Sequence, residues 1–456
     1  MSAVVSVEEA RRQISRSQTL AEATQLMRSG GVRLWLVGGC VRDFFLGRSF
    51  SDIDIVVDTS ESGLVREYVT GLSERLGGTV VALDRERGYW RLADMPQDHL
   101  DFAARQGGTI EEDLSRRDFT VNAVAWDVEA GDFIDPCGGI ADCQQRILRA
   151  VSENGLAEDP LRCLRAWRFL CTHRLTPCGE LEGQIRRRAP ALRQAAGERV
   201  NEELYRILSG DITGQFEFAQ RAGIITALWP ELADCLPRAK KRLEMWKLWN
   251  SGRWGSSEEW GSLERLYWDE PIRCERSRYL AVGLALLLGA PWEPGYKNGG
   301  LSSRAYLDKA VQRFSLSRKE RNLLYLIGLH ASTAELLLQG NSAKGEWFDF
   351  FRNTGSEAAA VLLYARLSAV DVKAGPNLPG SCNIMLRDFF EKGSTYCPQV
   401  PLAVKSILEK YPLLQGPKIG ELTELLARTC AVRGELNEEQ AWRIAEDFVN
   451  RYQEIG

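Results

Sequence analysis

The sequence predicts an α+β fold: a mixed front domain of strands and helices, followed by a long all-helical region. Up to about residue 150, short runs rich in Val, Ile, Leu and Trp alternate with turns built on Gly, Asp and Ser. After about Glu153 the strand signals stop. Apolar residues then recur at three- and four-residue spacing, broken at Pro177, Pro190, Pro230, Pro291, Pro376 and Pro401. With 456 residues, the chain has room for two to four domains at roughly 100–200 residues each.

In order, the predicted strands are Arg33–Val37, Ile53–Val57, Thr79–Leu83, Gly88–Leu92 and Leu100–Ala103. The longest apolar run, Leu280 to Trp292, is too short to cross a bilayer of roughly 20 helical residues and reads as a buried helix. The Gly- and Pro-rich segment Ala290–Ser303 is the best internal loop candidate.

Composition excludes several classes. Hydrophobic residues make up 44% and charged residues 26%, which excludes a wholly disordered chain. The net charge of −4 means that nucleic-acid contact must come from local basic patches. Eleven scattered cysteines without a C-x-x-C pair fit reduced thiols and argue against a disulfide framework or structural zinc. Glu8, Glu9, Arg11 and Arg12 stand where an export signal would be apolar, so a cytoplasmic location is expected, with no membrane partner. His99, His173 and His330 are far apart, so any metal would be held by carboxylates.

Two segments carry chemistry. Val37-Gly38-Gly39-Cys40-Val41-Arg42-Asp43 follows a predicted strand and opens a helical pattern. Its glycines permit close backbone approach, the helix N-terminus offers N–H groups to phosphate, and Arg42 adds a charge-assisted contact. About a dozen residues further on, strand alternation places Asp52 and Asp54 on one face and Ile53, Ile55 and Val57 on the other. Two carboxylates about 7 Å apart along a strand repel unless a cation lies between them, and Mg²⁺ prefers such oxygen donors. Either segment alone also suits a plain turn or a wet acidic face. Their pairing is what metal-dependent nucleotidyl transfer needs. A third carboxylate on a neighbouring strand would complete the set, and Asp101 is the candidate, with Asp94 and Asp98 as rivals.

Gly38-Gly39-x-x-Arg42-Asp43 with Asp52-x-Asp54 resembles the polymerase-β type nucleotidyltransferase signature. Arg116-Arg117-Asp118-Phe119-Thr120-Val121-Asn122-Ala123, Glu158-Asp159-Pro160-Leu161-Arg162 and Glu198-Arg199-Val200-Asn201-Glu202 then follow in order. Together these resemble the bacterial-type (class II) tRNA nucleotidyltransferase and poly(A) polymerase family from about Leu34 to Leu208. Beyond that point only Gln415 to Leu422 echoes it. The resemblance implies a catalytic head with a small mixed sheet over 1–150, a helical neck with a base-reading helix over 151–210, and a helical body and tail over 211–456 that binds tRNA. It implies two-metal nucleotidyl transfer with two Mg²⁺ on Asp52 and Asp54, and Asp101 as third catalytic carboxylate. Nucleotide binding falls to Gly38, Gly39, Arg42, Arg116, Arg117, Asp118, Asn122, Glu158, Asp159, Arg162 and Arg165, with support from Asp43, Glu198, Arg199 and Glu202. The substrates implied are tRNA, CTP and ATP, not DNA.

A carboxylate beside a guanidinium offers an acceptor next to a donor, which fits the Watson–Crick edges of cytosine and adenine and opposes those of uracil and guanine. Asp159 and Arg162 would form that template, with Glu158 orienting them. The plainer reading makes Asp159 an N-cap, Pro160 the first helical residue, and Asp159–Arg162 a surface ion pair. In the Arg116–Asn122 motif, the arginines either contact triphosphate or ribose or bridge head and helices through Asp118. Glu198, Arg199 and Glu202 share a helical face, bracing the base-reading helix or contacting substrate.

For RNA, the basic stretches are Arg186-Arg187-Arg188, Arg238 to Arg253 and Arg313 to Arg321. Trp246, Trp249 and Trp254 interleave with the second as stacking surfaces or, at Trp246/Trp249 spacing, as one buried helical face. Between Leu100–Ala103 and Arg116 the resemblance leads one to expect a longer loop in members that add the whole CCA. Only Arg105 to Glu111 intervene here, a mark of CC-adding relatives, which would leave the final A to a separate enzyme. Poly(A) synthesis remains the alternative within the family, and a catalytically silent RNA-binding protein or a small-molecule nucleotidyltransferase the alternatives outside it.

Overall fold

The computed structural model describes residues 5–16, 32–49, 52–94, 99–250, 262–273, 276–289, 303–340, 342–369, 386, 390, 398–414 and 416–453. The chain divides into two compact units, Met1–Leu228 and Trp229–Gly456. No helix among the described residues is long and apolar enough to cross a membrane.

The first unit contains a seven-stranded sheet: β1 (Leu34–Val37), β2 (Asp52–Val57), β3 (Thr79–Asp84), β4 (Tyr89–Ala93), β5 (His99–Ala104), β6 (Ala125–Asp127) and β7 (Asp132–Ile134). Their spatial order is β3-β4-β5-β2-β1-β6-β7. Only β2 and β5 pair in parallel; the other neighbours are antiparallel. The α+β expectation holds. The five predicted strands form within a residue of their expected ends, and β6 and β7 add two that were not expected. Short ladders also reach beyond the predicted end of strand structure: Thr176–Pro177, paired with the earlier Ile147–Leu148, and Pro271–Arg273 with Arg276–Ser277.

Alternation fixes the two faces of the sheet. Ile53 and Ile55 of β2, with Leu100 and Phe102 opposite them on β5, are buried on one face. The helix Ser62–Leu76 packs against β4 and β5, and its Tyr68 meets Phe102 edge-on with ring centroids 6.1 Å apart. On the other face Trp35, Val37, Val56, Ala123 and Ala125 form a core with Ile110 and Leu114 of the helix Ile110–Ser115. That helix is capped by Thr109, whose hydroxyl accepts from Glu112 N, and its first turn carries Glu111, Glu112 and Asp113, favourable at the positive dipole end. It covers the Val56 end of β2, and Asp52 lies exposed at the other end.

The helix Leu161–His173 follows, with Leu161, Leu164 and Phe169 buried as expected. Phe169 meets Phe119 of the sheet region at 5.4 Å, and the helix Gly197–Ser209 packs alongside. Leu161 is the first helical residue and Pro160 the cap, one position later than expected.

In the second unit the helix Arg278–Leu288 buries every residue from Ala281 to Leu288, as the apolar run predicts. Trp246 is fully buried and stacks on Tyr279 at 4.4 Å, and Trp249 meets Trp268 at 5.1 Å. A Cβ on Gly283 would lie 2.5 Å from the Trp246 ring, so glycine permits this approach. Core packing is therefore the role of Trp246, and stacking on RNA is not available to it. Arg242 of the same basic stretch is also buried. A separate core, including Leu402, Ile407, Leu422, Leu426 and Ala445, joins the helices Val404–Lys410, Pro417–Arg433 and Glu438–Gln453. Arg253, Trp254, Asp98, Gln415 and all of the Ala290–Ser303 loop candidate except Ser303 lie outside the described residues.

Candidate active site

The site starts from a turn that only glycine fits. Gly38 leaves β1 with φ of 72° and ψ of −127°, and the helix Gly39–Leu46 begins at once. A Cβ on Gly38 would stand 2.9 Å from Asp54 Oδ2 and 3.2 Å from Arg117 Nη1. Backbone strain in such a region costs about 1–3 kcal/mol, before any clash is counted. Gly38→Ala is therefore expected to lower the melting temperature and displace the Asp54 carboxylate; wild-type melting and wild-type nucleotide binding in that variant would contradict this.

Asp54 accepts a bond from Gly39 N at 3.3 Å, which ties the phosphate-type turn to the acidic strand. Burial raises the Asp54 carboxyl above its ordinary pKa, the Arg117 guanidinium and Gly39 N–H oppose the rise, and the nearby Asp101 and Asp52 add to it. Asp52 is exposed beside it on the same strand face. The parallel β2–β5 register sets Asp101 directly opposite Asp54. Both Asp101 oxygens are engaged by Arg91 of β4, Nε to Oδ1 and Nη2 to Oδ2, each at 2.7 Å. Among the described residues no three His, Cys, Asp or Glu side chains are gathered so as to hold a metal ion.

Around this strand the arginines are anchored by acids. Arg42 is buried, donating to both Asp43 oxygens at 3.0 Å and to Asn122 Oδ1 at 2.8 Å. Arg117 donates to Asp113 Oδ2, and Asp113 Oδ1 accepts from Gln106 N. Asp118 is buried, which alone would raise its pKa. The Arg165 guanidinium at 2.7 Å, Asn122 and Phe119 N hold it below the usual carboxylate range instead. The link from the Arg116–Asn122 motif to the long helix thus runs through Arg165, while Arg116 itself is exposed.

Asp159 and Arg162 do not pair with each other in the way the plainer reading expects. Asp159 Oδ1 accepts from Leu161 N at 3.0 Å and Oδ2 from Arg199 at 2.8 Å. Burial works against ionisation of Asp159, and these two bonds bring its pKa below the ordinary value. Arg162 donates to the carbonyls of Gly155 and Arg116 at 3.0 and 2.9 Å, with Glu158 3.8 Å away. Each group is held from behind and keeps hydrogen-bonding capacity, since a guanidinium carries further N–H groups and a carboxylate further lone pairs.

Most of these residues share one cleft of about 1600 Å³. Gly38, Gly39, Arg42, Asp43, Asp52, Asp54, Asp101, Arg116, Arg117, Asp118 and Asn122 line it together with Glu158, Asp159, Arg162 and Arg165. Typical small-molecule pockets span roughly 300–1,000 Å³, so the cleft has room for a nucleotide and a second substrate. Glu198 and Glu202 are exposed and not among its lining residues; Arg199 acts on it through Asp159. Sequence reasoning missed Asp113, Arg168 and Arg206, which also line the cleft. The last two flank the buried Glu203 on the neighbouring helix. Of the basic stretches proposed for RNA, Arg186–Arg188 is largely matched by Glu153 and Glu182.

A sheet-borne pair of aspartates thus stands beside a Gly-Gly turn and a buried arginine–aspartate network. Residues 34–149 match the family model of the poly A polymerase head domain. The chain is 44% identical over 184 residues to a CC-adding tRNA nucleotidyltransferase of Geobacter sulfurreducens, covering 40% of this chain and 42% of that protein. It is 38% identical over 205 residues to an A-adding tRNA nucleotidyltransferase of Deinococcus radiodurans, 44% of this chain and 45% of that one. The match thus spans less than half of these relatives. The fold is similar to that of a Thermotoga maritima CCA-adding enzyme complexed with tRNA: TM-score 0.68, 20% identity, covering 99% of this chain and 100% of that one. A CCA-adding enzyme in complex with ATP gives a TM-score of 0.70 at 20% identity, covering 97% of each chain.

Proposed function

We propose that this protein is a tRNA nucleotidyltransferase that extends the tRNA 3′ end with C from CTP, in the CC-adding manner. The observation that carries the reading is the shared cleft, in which the Asp52–Asp54 strand face and the anchored Asp159–Arg162 pair open onto one space. Similarity to CC-adding relatives supports it, as does the connection from β5 to the helix Ile110–Ser115, only residues 105–109 long.

Asp52 and Asp54 suit a hard divalent cation, Mg²⁺ in this reading. They are oxygen donors on one strand face, and burial with the neighbouring Asp101 and Asp52 disfavours the carboxylate charge at Asp54. Asp52 and Asp54 would hold the ion, which would supply Lewis-acid stabilisation of charge at the tRNA 3′-hydroxyl and at the α-phosphate and pyrophosphate. The start of the helix Gly39–Leu46, with Arg42, Arg116 and Arg117 around it, holds the triphosphate. Asn122, itself tied to Asp118 and through it to Arg165, keeps Arg42 in place, and Asp113 holds Arg117. Asp159 and Arg162 read the base edge, braced by Arg199 and flanked by Glu158. The head, neck and body divisions at 150 and 210 belong to the same proposal, with the helical remainder gripping tRNA.

The test is incubation with tRNA lacking its 3′ end, and separately with unstructured RNA, under CTP alone, ATP alone and both. Two C residues added to tRNA, with little or no A, are expected. Complete CCA would reassign the 105–109 connection, and a long A tail on unstructured RNA would identify a poly(A) polymerase. Nucleotide binding or RNA binding without incorporation would leave a silent scaffold.

A further inference from the structure

We propose that Arg91 is a built-in counter-cation of the acidic strand pair, a positioning residue that restrains divalent-ion binding until a nucleotide arrives. The inference rests on the metal reading of Asp52 and Asp54 and deepens it.

Arg91 lies in β4, where register places it opposite Asp101 on β5, and Asp101 in turn lies opposite Asp54 on β2. Its guanidinium forms a two-bond fork with Asp101 and reaches within 3.7 Å of Asp52 Oδ1. A bidentate fork is the strongest and most directional form such a pair takes. It is neither a fully exposed nor a fully buried pair: the side chains of Arg91 and Asp101 are 30% and 19% exposed. Three consequences follow. Asp101 is not free to turn an oxygen toward an ion shared with Asp54 while the fork is closed. One of the three negative charges on the strand face is cancelled by a fixed cation. That cation also sits near enough to Asp52 to repel an incoming divalent ion. The negative charge that tips the balance would then come from the triphosphate itself, so metal and nucleotide bind as a pair.

The proposal makes the affinity of the nucleotide-free protein for a divalent ion depend on a residue that is not a ligand. It is tested by titrating full-length protein with Mn²⁺ alone, read by electron paramagnetic resonance, with the Tm recorded for each variant. R91Q, which keeps the bulk and removes the charge, is expected to bind Mn²⁺ about tenfold more tightly than the wild type, and R91A similarly. R91K, which keeps the charge without the fork, is expected to stay nearer the wild type. CTP is expected to tighten Mn²⁺ binding strongly in the wild type and only weakly in R91Q. Equal Mn²⁺ affinity in R91Q and wild type, with binding lost in D54A, overturns the role of Arg91 and leaves the metal site standing. Unchanged Mn²⁺ binding in D54A removes the metal reading, and this inference with it. If R91A does not fold, R91Q and R91K decide the matter.

Discussion

Asp54→Ala is expected to abolish nucleotide incorporation, by at least about 10³-fold in kcat, while tRNA binding persists. Losing an ion that stabilises transition-state charge removes several kcal/mol, and each 1.36 kcal/mol is about tenfold in rate. Rapid-quench incorporation of radiolabelled CTP, beside a filter-binding assay with tRNA, separates the two effects. Turnover near the wild-type rate would show that Asp54 holds no essential ion. Asp54→Asn carries a second, opposite signature. Because the Asp54 carboxyl titrates above its ordinary value in the folded chain, the native state holds that proton more tightly than the unfolded state. Stability from this group is therefore complete below the unfolded value of about 3.9 and is lost as pH rises toward the raised folded value. In chelator, Asp54→Asn should melt close to the wild type near pH 3 and above it at pH 7. Adding Mg²⁺ together with CTP at pH 7 should stabilise the wild type far more than the variant. An Asn variant that melts lower than the wild type at pH 7 in chelator would show that the Gly39 bond outweighs the cost of the buried charge.

The parts of this site legible in the sequence are those encoded by local periodicity. Alternation along Asp52–Val57 is enough to put both carboxylates on one face, and the Gly38-Gly39 turn is legible as paired glycines between strand and helix, of which Gly38 is the one whose positive φ and close neighbours require glycine. Asp101 could be named only as one of three candidates, since choosing it requires the β2–β5 register. Arg91 gave no signal of its own. A lone charged residue between Trp90 and Leu92 reads as an ordinary outward strand position, and its fork to Asp101 is fixed by strand pairing that the local pattern does not carry. The three-residue strands β6 and β7 were missed for a related reason. They are too short to show a period, and β6 is held in part by Asp127, which is 1% exposed and bonded by Arg33, 94 residues away, and by Trp35. The helical spacing at Trp246 and Trp249 allowed two readings, and the stacking partner Tyr279, thirty-three residues beyond Trp246, decides between them.

Arg162→Ala is expected to erode the preference for C over U far more than it slows the correct reaction. In the wild type, Gly155 O and Arg116 O fix the guanidinium and Arg199 fixes Asp159, so the donor–acceptor order cannot adapt to a base that presents carbonyl beside N–H. An enforced mismatch leaves buried groups unpaired at about 1–3 kcal/mol each, which for two groups is about 10²–10⁴-fold in selectivity. Removing the guanidinium deletes one enforced mismatch, so the ratio of kcat/KM for CTP over UTP should fall by about 10–10²-fold. Arg162→Lys should recover little, because a compact ammonium lacks the planar fork whose spread N–H groups reach both carbonyls and the base in one fixed geometry. Arg199→Ala provides the control that isolates preorganisation from contact. It frees Asp159 without removing either base-reading group, so it should lower selectivity by less than Arg162→Ala. If Arg162→Ala leaves the CTP/UTP ratio unchanged while lowering the melting temperature, the residue serves only to join the Gly155 and Arg116 backbones, and base choice must be set elsewhere in the cleft.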